Sequence, residues 1–146
     1  MVKNKYSLEF KAIKDDGTPM VRLVIPIESF DNERSVICPH FGRAPEFAVV
    51  EISEEGRVVS MSSQANVGEH FGGQGGAEAA VTGLGPDALV VKGMGPRGLQ
   101  AFQSNGIAVF TGPVNNVGEA IESYLAGRLS GLTEPCRDAR HKFPSC

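Results

Sequence analysis

Nowhere in this sequence does an apolar run approach the roughly 20 residues that span a bilayer. Its opening residues carry Lys3, Lys5 and Glu9 with no apolar stretch behind them, so no secretory leader is expected and the chain is placed in the cytoplasm. Concentrated positive charge is missing as well. Against 17 Asp and Glu there are 14 Lys and Arg, the net charge is -3, and the basic residues are scattered except near the end. That distribution lacks the electrostatic footprint of a nucleic-acid binder. Cysteine is scarce: Cys38, Cys136 and Cys146 are odd in number and make no disulfide framework, so reduced thiols in a reducing compartment are expected. The carboxylates Glu51, Glu78 and Asp87 form no pattern that would converge on magnesium, which leaves metal-dependent nuclease chemistry without a signal. A length of 146 residues suits one domain able to bury a core without disulfides or a structural metal.

Glycine is present in quantity, and the densest stretch reads Asn66-Val67-Gly68-Glu69-His70-Phe71-Gly72-Gly73-Gln74-Gly75-Gly76-Ala77-Glu78-Ala79-Ala80-Val81. Glycines giving way to an Ala-rich segment suit a strand-to-helix turn whose bare amides face an anion at the helix N-terminus. The competing use is structural, because such turns also let a helix pack closely on a sheet. A Walker Lys-Ser/Thr is absent, and so is the acid about 20 positions on that a dinucleotide fingerprint requires. Nucleotide phosphate is therefore not the first guest to consider. The tripeptide His40-Phe41-Gly42 is repeated as His70-Phe71-Gly72, which makes two imidazoles candidates to converge on one site.

Residues 1–19 read as an extension, with Tyr6, Leu8 and Phe10 alternating like a short strand before the turn Asp15-Asp16-Gly17-Thr18-Pro19. Residues 21–27 make the first core strand, and Pro26 marks its end or an edge. Next, Cys38, His40 and Arg43 fall within six positions, and Pro39 and Pro45 bracket the stretch that holds His40 and Arg43, two prolines that preset the loop's shape. Strands are expected over 47–52 and 57–63 around a hairpin turn at 54–56, feeding the glycine loop. A close-packed helix over 77–84 precedes a short apolar strand at 88–91. Lys92-Gly93-Met94-Gly95-Pro96-Arg97-Gly98 is a second Gly-rich turn, with Pro96 opening a helix that runs to Asn105-Gly106. A strand over 107–110, the exit loop 111–116 and a helix over 117–129 follow. Short apolar strands followed by helices argue for a parallel or mixed sheet covered by helices. Its ligand loops would gather at the carboxyl ends of the strands, so that His70, Met94, Arg97 and Asn115-Asn116 share one rim. The polar tail of residues 130–146 spaces Cys136, His141 and Cys146 evenly but holds no paired Cys-x-x-Cys knuckle.

Taken together, these residues resemble the dinitrogenase iron-molybdenum cofactor biosynthesis family, the nitrogenase accessory proteins and their small stand-alone relatives. The likeness covers residues 20–129, between an extension at 1–19 and a tail at 130–146. It rests on strand 21–27, on Pro39-His40-Phe41-Gly42-Arg43-Ala44-Pro45-Glu46-Phe47, on glycine loop 72–77, on Gly93-Met94-Gly95-Pro96-Arg97, on Gly106-Ile107-Ala108-Val109-Phe110 and on the closing helix. The resemblance implies a ribonuclease-H-like α/β fold, a five-stranded mixed sheet flanked by helices. It also implies non-catalytic binding or carriage of an iron-sulfur or molybdenum-containing metal-sulfur cluster, in company with cluster-assembly or acceptor proteins. Neither nucleic acid nor membrane is an expected partner, and the chain is expected as a monomer or weak homodimer. The residues implied in cluster binding are Cys38, His40, Arg43, His70, Gly72, Gly73, Gly75, Gly76, Met94 and Arg97. His40, His70 and Cys38 are the metal-ligand candidates among them, with Cys136, His141 and Cys146 in the tail. Backbone amides, guanidiniums and imidazoles suit such a guest, which is commonly anionic, and a carrier that must release it favours few protein ligands.

Several of these side chains have a plainer use. Cys38 adds a thiolate or packs as a small buried hydrophobe, Met94 is a packing residue of the rim or a thioether ligand, and Arg43 and Arg97 tie loops together or clamp an anion. Two other function classes stay open: an enzyme acting on a small anion with Cys38 activated by His40, and a regulatory interaction module without metal.

Overall fold

The computed structural model describes residues 12–13, 19–66 and 76–132. In chain order these form β1 (Ala12–Ile13), β2 (Pro19–Ile27), a 3₁₀ turn (Phe41–Arg43), β3 (Glu46–Ser53), β4 (Val58–Ala65), α1 (Gly76–Thr82), β5 (Ala88–Val91), α2 (Pro96–Ser104), β6 (Ala108–Thr111), α3 (Val117–Leu125) and β7 (Ser130–Gly131). The strands build one mixed sheet in the order β4-β3-β2-β5-β6-β7, with β1 paired to the start of β2. Pairing is antiparallel from β2 through β3 to β4, parallel from β2 through β5 to β6, and antiparallel again at β7. The expected count of five strands is corrected to seven among the described residues. The five longer strands are those the sequence pattern marks, and β1 and β7 add two residues each. Neither is long enough to show an alternation of its own. The expected strand around Tyr6, Leu8 and Phe10 lies outside the described residues.

Each strand of the sheet's middle is buried on both faces, which explains its nearly unbroken apolar run. Val21, Leu23, Ile25 and Ile27 of β2 point to one face, where Val117, Ala120 and Ile121 of α3 complete a core. Val24 points to the other, with Leu89 and Val91 of β5, Ala77 and Val81 of α1, and Phe102 of α2. Pro26 sits in the middle of the sheet without breaking its ladder. Its carbonyl accepts from the Cys38 amide at 2.9 Å, so its nitrogen faces that segment. The register with β5 covers only Leu23 and Val24, so Pro26 lies beyond it. The amide proton that proline lacks is therefore missing where no strand needs it.

Glycines end two of the helices: Gly106 closes α2 as expected, and Gly127 closes α3, which stops at Leu125 and not at the expected 129; they stand at φ of 73° and 70°, the left-handed region open to a residue without Cβ. Arg22 on β2 pairs with Glu51 on β3 at 2.6 Å, donates to the Leu84 carbonyl, and gives its backbone amide to Asp87. These contacts hold the end of the sheet where β2 begins. No helix among the described residues is long and apolar enough to cross a membrane.

Candidate functional site

Where β2 and β5 end, the chain opens a cleft of about 500 Å³. One wall is the Pro39–Arg43 segment, the other is Gly93, Met94, Gly95, Arg97 and Gly98, and Glu78 of α1 closes the side. The first wall is held by aromatic packing. Phe41 is 5% exposed, and its ring lies 5.5 Å from that of Phe47 and 5.6 Å from that of Phe102. Burying a phenylalanine contributes about 1.5–3 kcal/mol, so the turn is fastened to the core while its neighbours His40, Gly42 and Arg43 stay exposed. Within the turn the His40 carbonyl accepts from the Arg43 amide at 3.0 Å. Asn66 is tied to the chain just after this wall, donating its side-chain amide to the Ala44 carbonyl at 2.9 Å and its backbone amide to the Pro45 carbonyl at 3.0 Å.

The second wall is the start of α2. Its N-cap is Gly95, which has no side chain to cap with, and Pro96 follows at the first helical position. Leu99 is the first amide bonded back, to the Gly95 carbonyl. The amides of Arg97 and Gly98 thus have no intrahelical acceptor and sit at the positive end of the helix, on the cleft. Arg43 and Arg97 are exposed, and neither forms an ion pair among the described residues, where the recorded pair is Arg22–Glu51. Two such guanidiniums, an imidazole and helix-end amides make the walls suited to an anion.

The glycines carry a further indication. At Gly42, Gly93 and Gly95 a Cβ would meet no described atom within 4 Å, and none of the three has a positive φ. At Gly42 and Gly93 neither packing against described atoms nor backbone conformation calls for glycine, while Gly95 also serves as the N-cap of α2, and all three line the cleft. Close approach of a guest to bare backbone is the remaining physical use. Gly98 differs, since its Cβ would come within 3.0 Å of the Met94 Cγ and Sδ and 3.2 Å of a Glu78 carboxylate oxygen.

Of the residues expected to take part, His40, Arg43, Met94 and Arg97 meet in this cleft. Cys38 points the other way. It is 6% exposed within the core that holds Phe41, Phe47 and Phe102, and its thiol donates to the His40 carbonyl at 3.5 Å. This burial is what the packing alternative for the thiol expects. Gly76 opens α1, while His70, Gly72, Gly73, Gly75, Cys136, His141 and Cys146 lie outside the described residues. Asn115 and Asn116, expected on the rim, are occupied in structure: Asn115 accepts from the Lys92 ammonium at 3.1 Å, and Asn116 caps α3 by accepting from the Glu119 amide at 2.8 Å. Among the described residues no three His, Cys, Asp or Glu side chains are grouped to hold a metal ion. The cleft residues that sequence reasoning passed over are Glu78 and Gly98, along with Gly42, Gly93 and Gly95 as individual contributors. Glu78 had a signal in its position two residues after the last glycine of the loop.

Residues 21–127 match the model of the family described as dinitrogenase iron-molybdenum cofactor. An uncharacterized protein of Methanocaldococcus jannaschii is 31% identical over 113 residues, 75% of this chain and 90% of that protein. The crystal structure of the protein PH0822 is similar with a TM-score of 0.64 at 27% identity, over 75% of this chain and 95% of the other. The apo form of the orange protein from Desulfovibrio gigas is similar with a TM-score of 0.65 at 23% identity, over 79% and 95% of the two chains, a likeness of fold.

Proposed function

The chain belongs to the dinitrogenase iron-molybdenum cofactor family, and from that premise we propose that it binds and carries an iron-sulfur or molybdenum-iron-sulfur cluster, or a precursor of one, without catalysing a reaction. The observation that carries this reading is the cleft between Pro39–Arg43 and Gly93–Gly98. There two guanidiniums without ion-pair partners among the described residues, the His40 imidazole and bare glycine backbone surround about 500 Å³. Sulfide-rich clusters are commonly anionic, and diffuse hydrogen bonds from guanidinium and amide groups hold such a guest without locking it. His40 supplies one nitrogen ligand. A carrier that gives up its cargo is served by this sparse donor set better than by a closed thiolate cage. On the same reading the sheet is of the ribonuclease-H-like kind, the protein works in the cytoplasm beside cluster-assembly or acceptor proteins, and nitrogen fixation is one pathway it serves.

The test is anaerobic purification followed by incubation with ferrous iron and sulfide, and separately with tetrathiomolybdate. Visible absorption and bound metal per chain are then read for the wild type, for Arg43→Ala/Arg97→Ala and for His40→Ala/His70→Ala. Uptake that both double variants lose supports carriage at this cleft. Wild-type uptake no higher than that of an unrelated control protein would sink the proposal and leave a regulatory interaction module as the reading to pursue.

A further inference from the structure

Glu78 is out of place in a cleft built for a bare anion. Its carboxylate lines the same walls as Arg43 and Arg97 yet pairs with neither guanidinium among the described residues, so it is not there to hold an arginine. The Gly98 position explains how it fits. With no side chain on Gly98, the Glu78 Oε2 and the Met94 Sδ crowd the same missing methyl, 3.2 and 3.0 Å from where it would stand. A carboxylate and a thioether thus flank one point on the wall, and the His40 imidazole lines the same cleft. Oxygen, nitrogen and thioether donors suit a divalent first-row metal such as iron(II). Two arginines and open helix-end amides suit sulfide or oxyanion.

We propose that Glu78 makes the cleft two-sided: its carboxylate takes the metal face of the guest while Arg43 and Arg97 take the anionic face. The preferred cargo is then an assembly with an exposed iron, rather than a bare thiometallate. The inference rests on the metal-sulfur reading above and narrows it. Coordination replaces water on the metal by the carboxylate oxygen, with no change of oxidation state. A negative charge beside the cleft also repels a bare dianion, which gives the residue opposite effects on two simple probes.

The experiment compares the wild type, Glu78→Gln and Glu78→Asp, each offered ferrous ion alone and tetrathiomolybdate alone under anaerobic conditions, with a thermal melt of each to confirm folding. Glu78→Gln is expected to retain ferrous ion at least about tenfold less well and to bind tetrathiomolybdate about three- to tenfold more tightly, the size of a unit-charge removal in a wet cleft. Glu78→Asp keeps the charge and is expected to leave tetrathiomolybdate binding near the wild-type value. The proposal requires both signs in Glu78→Gln; any other combination overturns it. If the wild type and Arg43→Ala/Arg97→Ala take up tetrathiomolybdate equally, the metal-sulfur reading itself fails, whatever Glu78 does.

Discussion

Alanine at Gly42 and Gly93 should make this protein more stable and a poorer binder. At both positions a new Cβ would stand in open space, with no described atom within 4 Å and no positive φ to forbid it. Alanine at such a site narrows the unfolded ensemble and stabilises by about 0.4–1 kcal/mol. The two segments lie on opposite walls of the cleft, so the effects should add to about 1–2 kcal/mol. For a chain of this length that raises the melting temperature by about 2–8 °C. Binding should move the other way. A methyl on each wall takes space the guest needs and parts it from a backbone amide, and one hydrogen bond to a charged partner contributes about 1.5–3 kcal/mol. Affinity for tetrathiomolybdate should therefore fall about 10- to 100-fold in the double variant. Gly95 is left out because it caps α2, where alanine is a poor substitute and would blur the stability arm. Circular dichroism melts and an anaerobic titration read the two quantities on the same preparation. Unchanged affinity in a stabilised variant would refute the close-approach argument. A loss of stability would show that the backbone needs glycine after all.

Three further outcomes follow from the packing. Phe41→Ala removes the ring that sits on Phe47 and Phe102 and should lower unfolding free energy by about 3–5 kcal/mol in a urea titration; a change under about 1 kcal/mol would mean that the loop is held by other means. Cys38, buried under that loop, should alkylate far more slowly in the native protein than in urea when followed by peptide mass mapping. Rapid native labelling would favour the nucleophile reading instead. Tyr124 has its pKa raised from 10.0 to about 12, first by burial and then by the charge of Asp87. Folding favours its protonated form, so its contribution to stability is complete below pH 10 and declines as pH climbs from 10 to about 12. Absorbance at alkaline pH should show this tyrosine ionising late, and Tyr124→Phe should remove that phase.

Much of the architecture is local in origin and legible in the sequence alone. The β-branched runs of β2, β5 and β6, the hairpin at Gly56 and the helix closed by Gly106 each depend on a few adjacent residues. Backbone preference and hydrophobic period decide such elements within their own segment. The five longer strands are legible for this reason. The two-residue strands β1 and β7 are not, since they exist only as partners of β2 and β6.

Tertiary structure alone settled which loops meet and which way their side chains face. Pro39–Arg43 and Gly93–Gly98 lie about 50 positions apart in the sequence and become two walls of one cleft because parallel pairing of β2 with β5 sends both strands out at the same end of the sheet. Cys38 and His40 are two positions apart, yet the thiol enters the phenylalanine core and the imidazole faces the cleft, a choice made by the packing of Phe41. Asn115 and Asn116 were drawn into a lysine contact and a helix cap. Glu78, whose one sequence signal is its place just after the glycine loop, was carried into the site by α1 packing beside a glycine of α2. A short-range pattern can specify an element, but only the folded sheet brings its ends together and decides what they share.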